Sequence, residues 1–211
     1  MRPRKRIRSS VPWLWRVIVL LSLAPLVAQS SEDVAAGVAL FEHRQFAAAQ
    51  QFFEAFVSQN PTDPAGAYYL GRIDFEGKRY DQAATWFERA VQLDGGNSDY
   101  HRWLGHTYGQ LAQHAGGEAF FLARKVKTHL EKAVELNPDN IEARFDLMEY
   151  YLQAPAFLGG DAAKAEGQAK EISRRNAAAG RKAWQRCRQK DVFLPGEDVP
   201  LPRGEHARTG R

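Results

Sequence analysis

Gly37, Gly71 and Gly105 stand 34 residues apart, and the same step carries Phe46 to Tyr80, Ala49 to Ala83 and Phe53 to Phe87. A fixed period of that length, with small and aromatic residues held in register, marks a chain built by stacking one supersecondary unit on the next. Such a unit cannot bury its apolar face alone, so each must be covered by its neighbour and about three are needed for a stable array.

The clearest unit reads Ala67-x2-Leu70-Gly71, then Tyr80-x2-Ala83-x3-Phe87-x2-Ala90-x2-Leu93. Steps of three and four place these residues on single helical faces, so the unit is two helices packed together. Gly71 and Ala83 are small where the helices must approach, and Leu70, Tyr80, Phe87 and Leu93 are expected to fill the gap between them. At these residues the chain resembles the tetratricopeptide repeat, whose opening W-x2-L-G-x2-Y has its counterpart in His101-x2-Leu104-Gly105-x2-Tyr108. Ala67 and His101 replace the family's Trp, Asp74 its Tyr and Gly95 its Pro.

The resemblance implies an all-α fold, a right-handed α-solenoid of about four helical hairpins over 31–177. The repeats cover about 30–63, 64–97, 98–140 and 141–177, and the third exceeds the period by nine residues around Gly116-Gly117. Asp63, Asn97 and Asn140 occupy one slot at the head of successive repeats, where a side-chain oxygen can accept from the free N–H groups of the following helix. Pro64, directly after Asp63, sits where a missing N–H costs least.

The flanks differ in composition. Residues 1–30 carry Arg2, Arg4, Lys5, Arg6 and Arg8, an apolar run from Val17 to Ala28 broken only by Ser22, and small residues at Ala28-Gln29-Ser30. This reads as a secretory signal peptide and implies a periplasmic protein, with an uncleaved membrane anchor as the alternative; the run is short of the roughly 20 residues a spanning helix needs. Removing it lowers the formal charge from +4 to −2 and leaves an acidic body with a basic tail after Ser173. Cys187 is the sole cysteine, which excludes an internal disulfide. Residues 177–190 are expected to form a helix, weakened by Gly180, that caps the last repeat with Ala183, Trp184 and Cys187 and leaves Arg181, Lys182, Arg186 and Arg188 in water. From Asp191 onward Pro and Gly break the periodicity, and 178–211 reads as a capping helix followed by a disordered basic tail.

A search for chemistry finds no catalytic, cofactor-binding or metal-ligating pattern. His101 and His106 are five apart, and His43, His114, His129 and His206 fall in separate elements, so the histidines are expected at surfaces or turns. No Gly-x-Ser-x-Gly is present, and Gly159-Gly160 lacks the Lys-Ser or Lys-Thr of a phosphate loop and reads as a turn. Phe120-Phe121-Leu122 is expected to begin a lengthened second helix and pack on the array, with an exposed hydrophobic patch offered to a partner as the alternative. An acidic body argues against nucleic acid; the tail is expected to make at most weak contact with a membrane surface.

In tetratricopeptide arrays the first helix of each hairpin lines a concave groove. Carried over slot by slot, the resemblance places Val34, Val38 and Phe41, then Tyr68, Arg72 and Phe75, then Arg102 and His106, then Phe145, Glu149 and Leu152 along it. It implies a non-enzymatic scaffold that holds a protein or extended peptide, with an anionic group near Arg72 and Arg102. Val34 and Val38 replace the polar members of the family's carboxylate clamp. The alternative is a subunit of an envelope enzyme or assembly complex whose active site lies mainly on a partner chain.

Overall fold

The computed structural model describes residues 34–191, and all regular structure there is helical. The leader expected over 1–30 and the tail beyond Asp191 lie outside the described residues. The helices are α1 (34–42), α2 (Phe46–Gln59), α3 (Pro64–Glu76), α4 (Tyr80–Leu93), α5 (Ser98–Ala112), α6 (Ala119–Leu136), α7 (Ile141–Gln153), α8 (Ala162–Arg175) and α9 (Ala177–Asp191). They pair as hairpins α1–α2, α3–α4, α5–α6 and α7–α8. Each hairpin packs on the next, first helices touch first helices, and α9 lies against α8 and α7 where a fifth hairpin would begin.

The helix starts follow from their caps. Asp63 accepts from Ala65 N at 2.8 Å, Asn97 from Asp99 N at 2.9 Å and Asn140 from Ala143 N at 3.0 Å. Asp161 and Asn176 cap α8 and α9 in the same way. Buried Asn140 also ties two repeats together, donating to Ser98 Oγ at 3.0 Å and Asp99 Oδ1 at 2.9 Å, while Ser98 donates to the Ala133 carbonyl at 2.9 Å.

Close approach explains the periodic glycines. A Cβ on Gly71 would lie 2.8 Å from the Phe87 ring, one on Gly105 3.0 Å from Leu130, and one on Gly37 2.4 Å from Phe52. Gly180 belongs with them, since a Cβ there would come within 2.5 Å of Ser173 Cα; the residue expected only to weaken α9 is what lets it seat on α8. Leu93 departs from expectation: as the last residue of α4 it is exposed rather than buried in the hairpin.

The core is divided. One cluster, centred on Phe53 and Phe56, fills α1–α3, and a larger one runs from Phe87 through Leu104, Leu130 and Met148 to Ile172 and Cys187. Half-buried Tyr68 and Trp86 lie at the seam, beside a small group of Ala67, Ala90 and Tyr100.

Two 3-10 turns, Gly116–Glu118 and Ala156–Leu158, mark where the third and fourth hairpins break the period. Gly159 at φ 95° allows the second to reverse, and Tyr150 Oη donates to the Leu158 carbonyl at 2.7 Å. Leu122 packs on the core as expected, but Phe120 and Phe121 do not: they are exposed because α6 begins at Ala119, beyond the end of the partner helix that would cover them.

Candidate binding groove

The structure sorts the side chains assigned to the groove by how far they are covered. Val34, Val38 and Phe41 pack, half-buried, on the N-terminal cluster. Tyr68, Phe75 and Phe145 rest on the larger one with one side open. Leu152 is a correction: at 2 % exposure it belongs to the larger core cluster with Met148 and Cys187, since α9 packs on α7.

Arg72 lies at the centre of an aromatic box. Its guanidinium carbon is 4.0 Å from the centre of the Trp103 ring, 4.9 Å from that of Phe41 and 5.7 Å from that of Tyr68. One terminal nitrogen donates to Tyr68 Oη at 2.9 Å, and the buried Nε finds no partner. Among the described residues no carboxylate lies within pairing distance of it. Rings hold the cation in place, each contact worth about 0.5–2 kcal/mol, but they do not neutralise it.

Arg102 is placed otherwise than expected for an anion clamp. Its Nε donates to Asp146 Oδ2 at 2.7 Å, so its charge is compensated within the protein. Burial pushes the Asp146 carboxyl upward, against the opposing pull of Arg102 and His106. Burial likewise holds His106 below the free imidazole value, opposed by Asp146. The His106 ring lies 4.9 Å from Phe75 and 5.8 Å from Trp103, and its buried Nδ1 is unpartnered. At the far end Glu149 pairs with Arg186 at 2.6 Å, which corrects the expectation that Arg186 stands in water.

Two contributors escaped sequence reasoning. Trp103 and Asp146 occupy the same slot on α5 and α7, one residue before the buried Leu104 and Leu147. That slot turns toward the neighbouring first helix, a signal present in the register itself.

The histidines also need correction, because His101 and His129 are not surface residues. Their Nδ1 atoms are 3.0 Å apart across α5 and α6, with His101 Nε2 3.2 Å from the Gly95 carbonyl. A carbonyl can only accept, so His101 Nε2 carries the proton and its Nδ1 accepts from His129 Nδ1–H.

Residues 34–98 match the family model described as tetratricopeptide repeat. Over those residues, the first two hairpins, the chain is similar to tetratricopeptide repeats. The fold recurs in TTC0263, a thermophilic tetratricopeptide protein of Thermus thermophilus, at 20% identity and TM-score 0.61 over 77% of this chain and 82% of that one. It recurs in MamA from Desulfovibrio magneticus RS-1 at 18% identity and TM-score 0.56, over 71% and 76%. YrrB, a tetratricopeptide protein with an unusual peptide-binding site, aligns at 16% identity and TM-score 0.55 over 81% and 87%. Among curated proteins no relative matches the chain. Tetratricopeptide arrays present extended concave surfaces and serve as protein-interaction scaffolds.

Proposed function

We propose that this protein is a non-enzymatic scaffold of the cell envelope, exported by residues 1–30, that holds an extended anion-bearing segment of a partner protein along its first-helix groove. The observation that carries the reading is Arg72, a guanidinium set in aromatic rings with no carboxylate to pair with among the described residues. A partly desolvated, uncompensated cation favours an incoming carboxylate, and a charge-assisted hydrogen bond contributes about 1.5–3 kcal/mol. Arg102 and Glu149 are already paired, so they shape the groove rather than grip the ligand. Apolar side chains of the ligand would lie against Val38, Phe41 and Phe75.

The test is a pull-down from an envelope extract, followed by titration of the captured partner against Arg72→Met, which keeps the stem packed under Trp103 while removing the charge. Affinity, titrated well below the melting temperature that loss of the ring contacts lowers, should fall roughly 10-fold or more. Unchanged affinity would remove Arg72 as the anion site. No reproducible partner would count against the scaffold reading.

A further inference from the structure

The two places where the chain breaks its period meet at one cavity. Between the lengthened third hairpin and the Pro155–Gly160 corner lies an open cavity of about 450 Å³ among α5, α6 and α7, whose apolar lining includes Gly109, Ala112, Ala123, Val126, Leu130 and Leu158. A water molecule occupies about 30 Å³ of liquid, so this is no packing defect; ligand pockets run from about 300 to 1,000 Å³. The space exists because the walls are small. A Cβ added at Gly109 would meet nothing closer than Val126 Cγ2 at 4.0 Å.

The polar side of the cavity is the groove itself. His106, Asp146 and Glu149 line both, and the two carboxylates are compensated by Arg102 and Arg186. The mouth therefore offers no unpaired charge, and the floor is apolar. Arg72 is a short distance along the same wall: its guanidinium lies 4.0 Å from the Trp103 ring, whose centre is 5.8 Å from that of His106. The cation and the cavity wall are thus within about 10 Å, a span of about three extended residues at roughly 3.3 Å each.

We propose that this cavity is a side-chain pocket for a large apolar residue, aromatic or Leu-sized, of the groove-bound peptide, lying about three positions from the residue whose carboxylate meets Arg72. The assignment rests on the groove reading above. It adds a second requirement to the ligand: an acidic group and a bulky apolar group in fixed register.

The experiment is to pan a displayed random dodecapeptide library on the purified protein and on three variants. Gly109→Leu and Ala123→Leu fill the cavity from α5 and from α6, and Arg72→Met removes the cation. Wild type should enrich peptides with Asp or Glu two to four positions from Phe, Trp or Leu. Both cavity-filling variants should keep the acidic position and lose the apolar one, and the best wild-type peptide should bind them at least about tenfold more weakly. Arg72→Met should do the reverse. A wild-type consensus with an acid alone, or an apolar preference unchanged in a filled variant that melts like wild type, overturns the pocket and leaves the groove standing. No enrichment with wild type overturns both.

Discussion

A side chain grown on Gly71 has nowhere to go, since the Phe87 ring that a Cβ would strike is fully buried and fixed by its neighbours. Gly71→Leu should therefore cost about 1–3 kcal/mol, read as a lower urea midpoint. An unchanged midpoint would mean that α3 and α4 can separate without loss. Lys78 is the opposite case. It holds a left-handed φ of 58°, as does Arg44 one period earlier, in turns where Arg79 N donates to the Asp74 carbonyl at 2.8 Å and Gln45 N to that of Leu40 at 2.9 Å. Only glycine adopts that conformation without penalty, so Lys78→Gly should raise stability by about 0.5–1 kcal/mol in the same measurement. A fall would show that the Lys78 side chain contributes more than its backbone strain costs. Gly71 was legible in the sequence because a small residue recurred in register with large ones. The strain at Lys78 was not, because a lysine between two helices looks like any exposed turn residue.

Between α5 and α6 the titratable contact is a pair of imidazoles that can share only one bridging proton. Burial, then His101 and Lys125, hold His129 down to about 4; burial also lowers His101, with Lys132 adding to the effect. Glu88 of α4 opposes the shift at His129 without cancelling it. The unfolded chain takes up the proton near pH 6.5 and the folded hairpin only near pH 4, so the pair's contribution is complete above about pH 6.5 and is lost as the pH falls toward 4. Urea unfolding at steps across that window should show a steeper loss for wild type than for His129→Gln, whose amide can still donate to His101. Parallel curves would place the acid sensitivity elsewhere. This pair was invisible to spacing, because its members are 28 residues apart on different helices and meet only once α6 folds back on α5. The Arg102–Asp146 pair was missed for the same reason. Hairpins, caps and the small-against-large pattern were legible because they are encoded within one period; contacts between periods need the stacking geometry.

At the scale of the molecule, stability depends on the last helix as much as on any repeat. Ala183 and Cys187 are buried, Trp184 packs on the main cluster, and Cys187 Sγ lies 3.8 Å from Met148 Sδ. Truncation after Asn176 would uncover this face of α7 and α8 and leave Glu149 without Arg186. The loss should be on the order of 3–5 kcal/mol in urea unfolding, with amide protection in α8 falling first. A truncated chain as stable as the whole would show that α8 closes the array unaided. The divided core has a mechanical consequence. Load applied at the two ends passes through every hairpin in series, and the seam at Tyr68 and Trp86 is where the interior is least continuous. Stretched between optical traps, the molecule should yield in two rips, a short one as α1 and α2, which carry most of the N-terminal cluster, peel away and a longer one as the block from α3 to α9 gives; a single rip would mean that the boundary between the clusters transmits tension as well as the core does. A partner lying along the groove from Phe41 to Phe145 would span that seam like a splint, and the array would then stiffen as it binds.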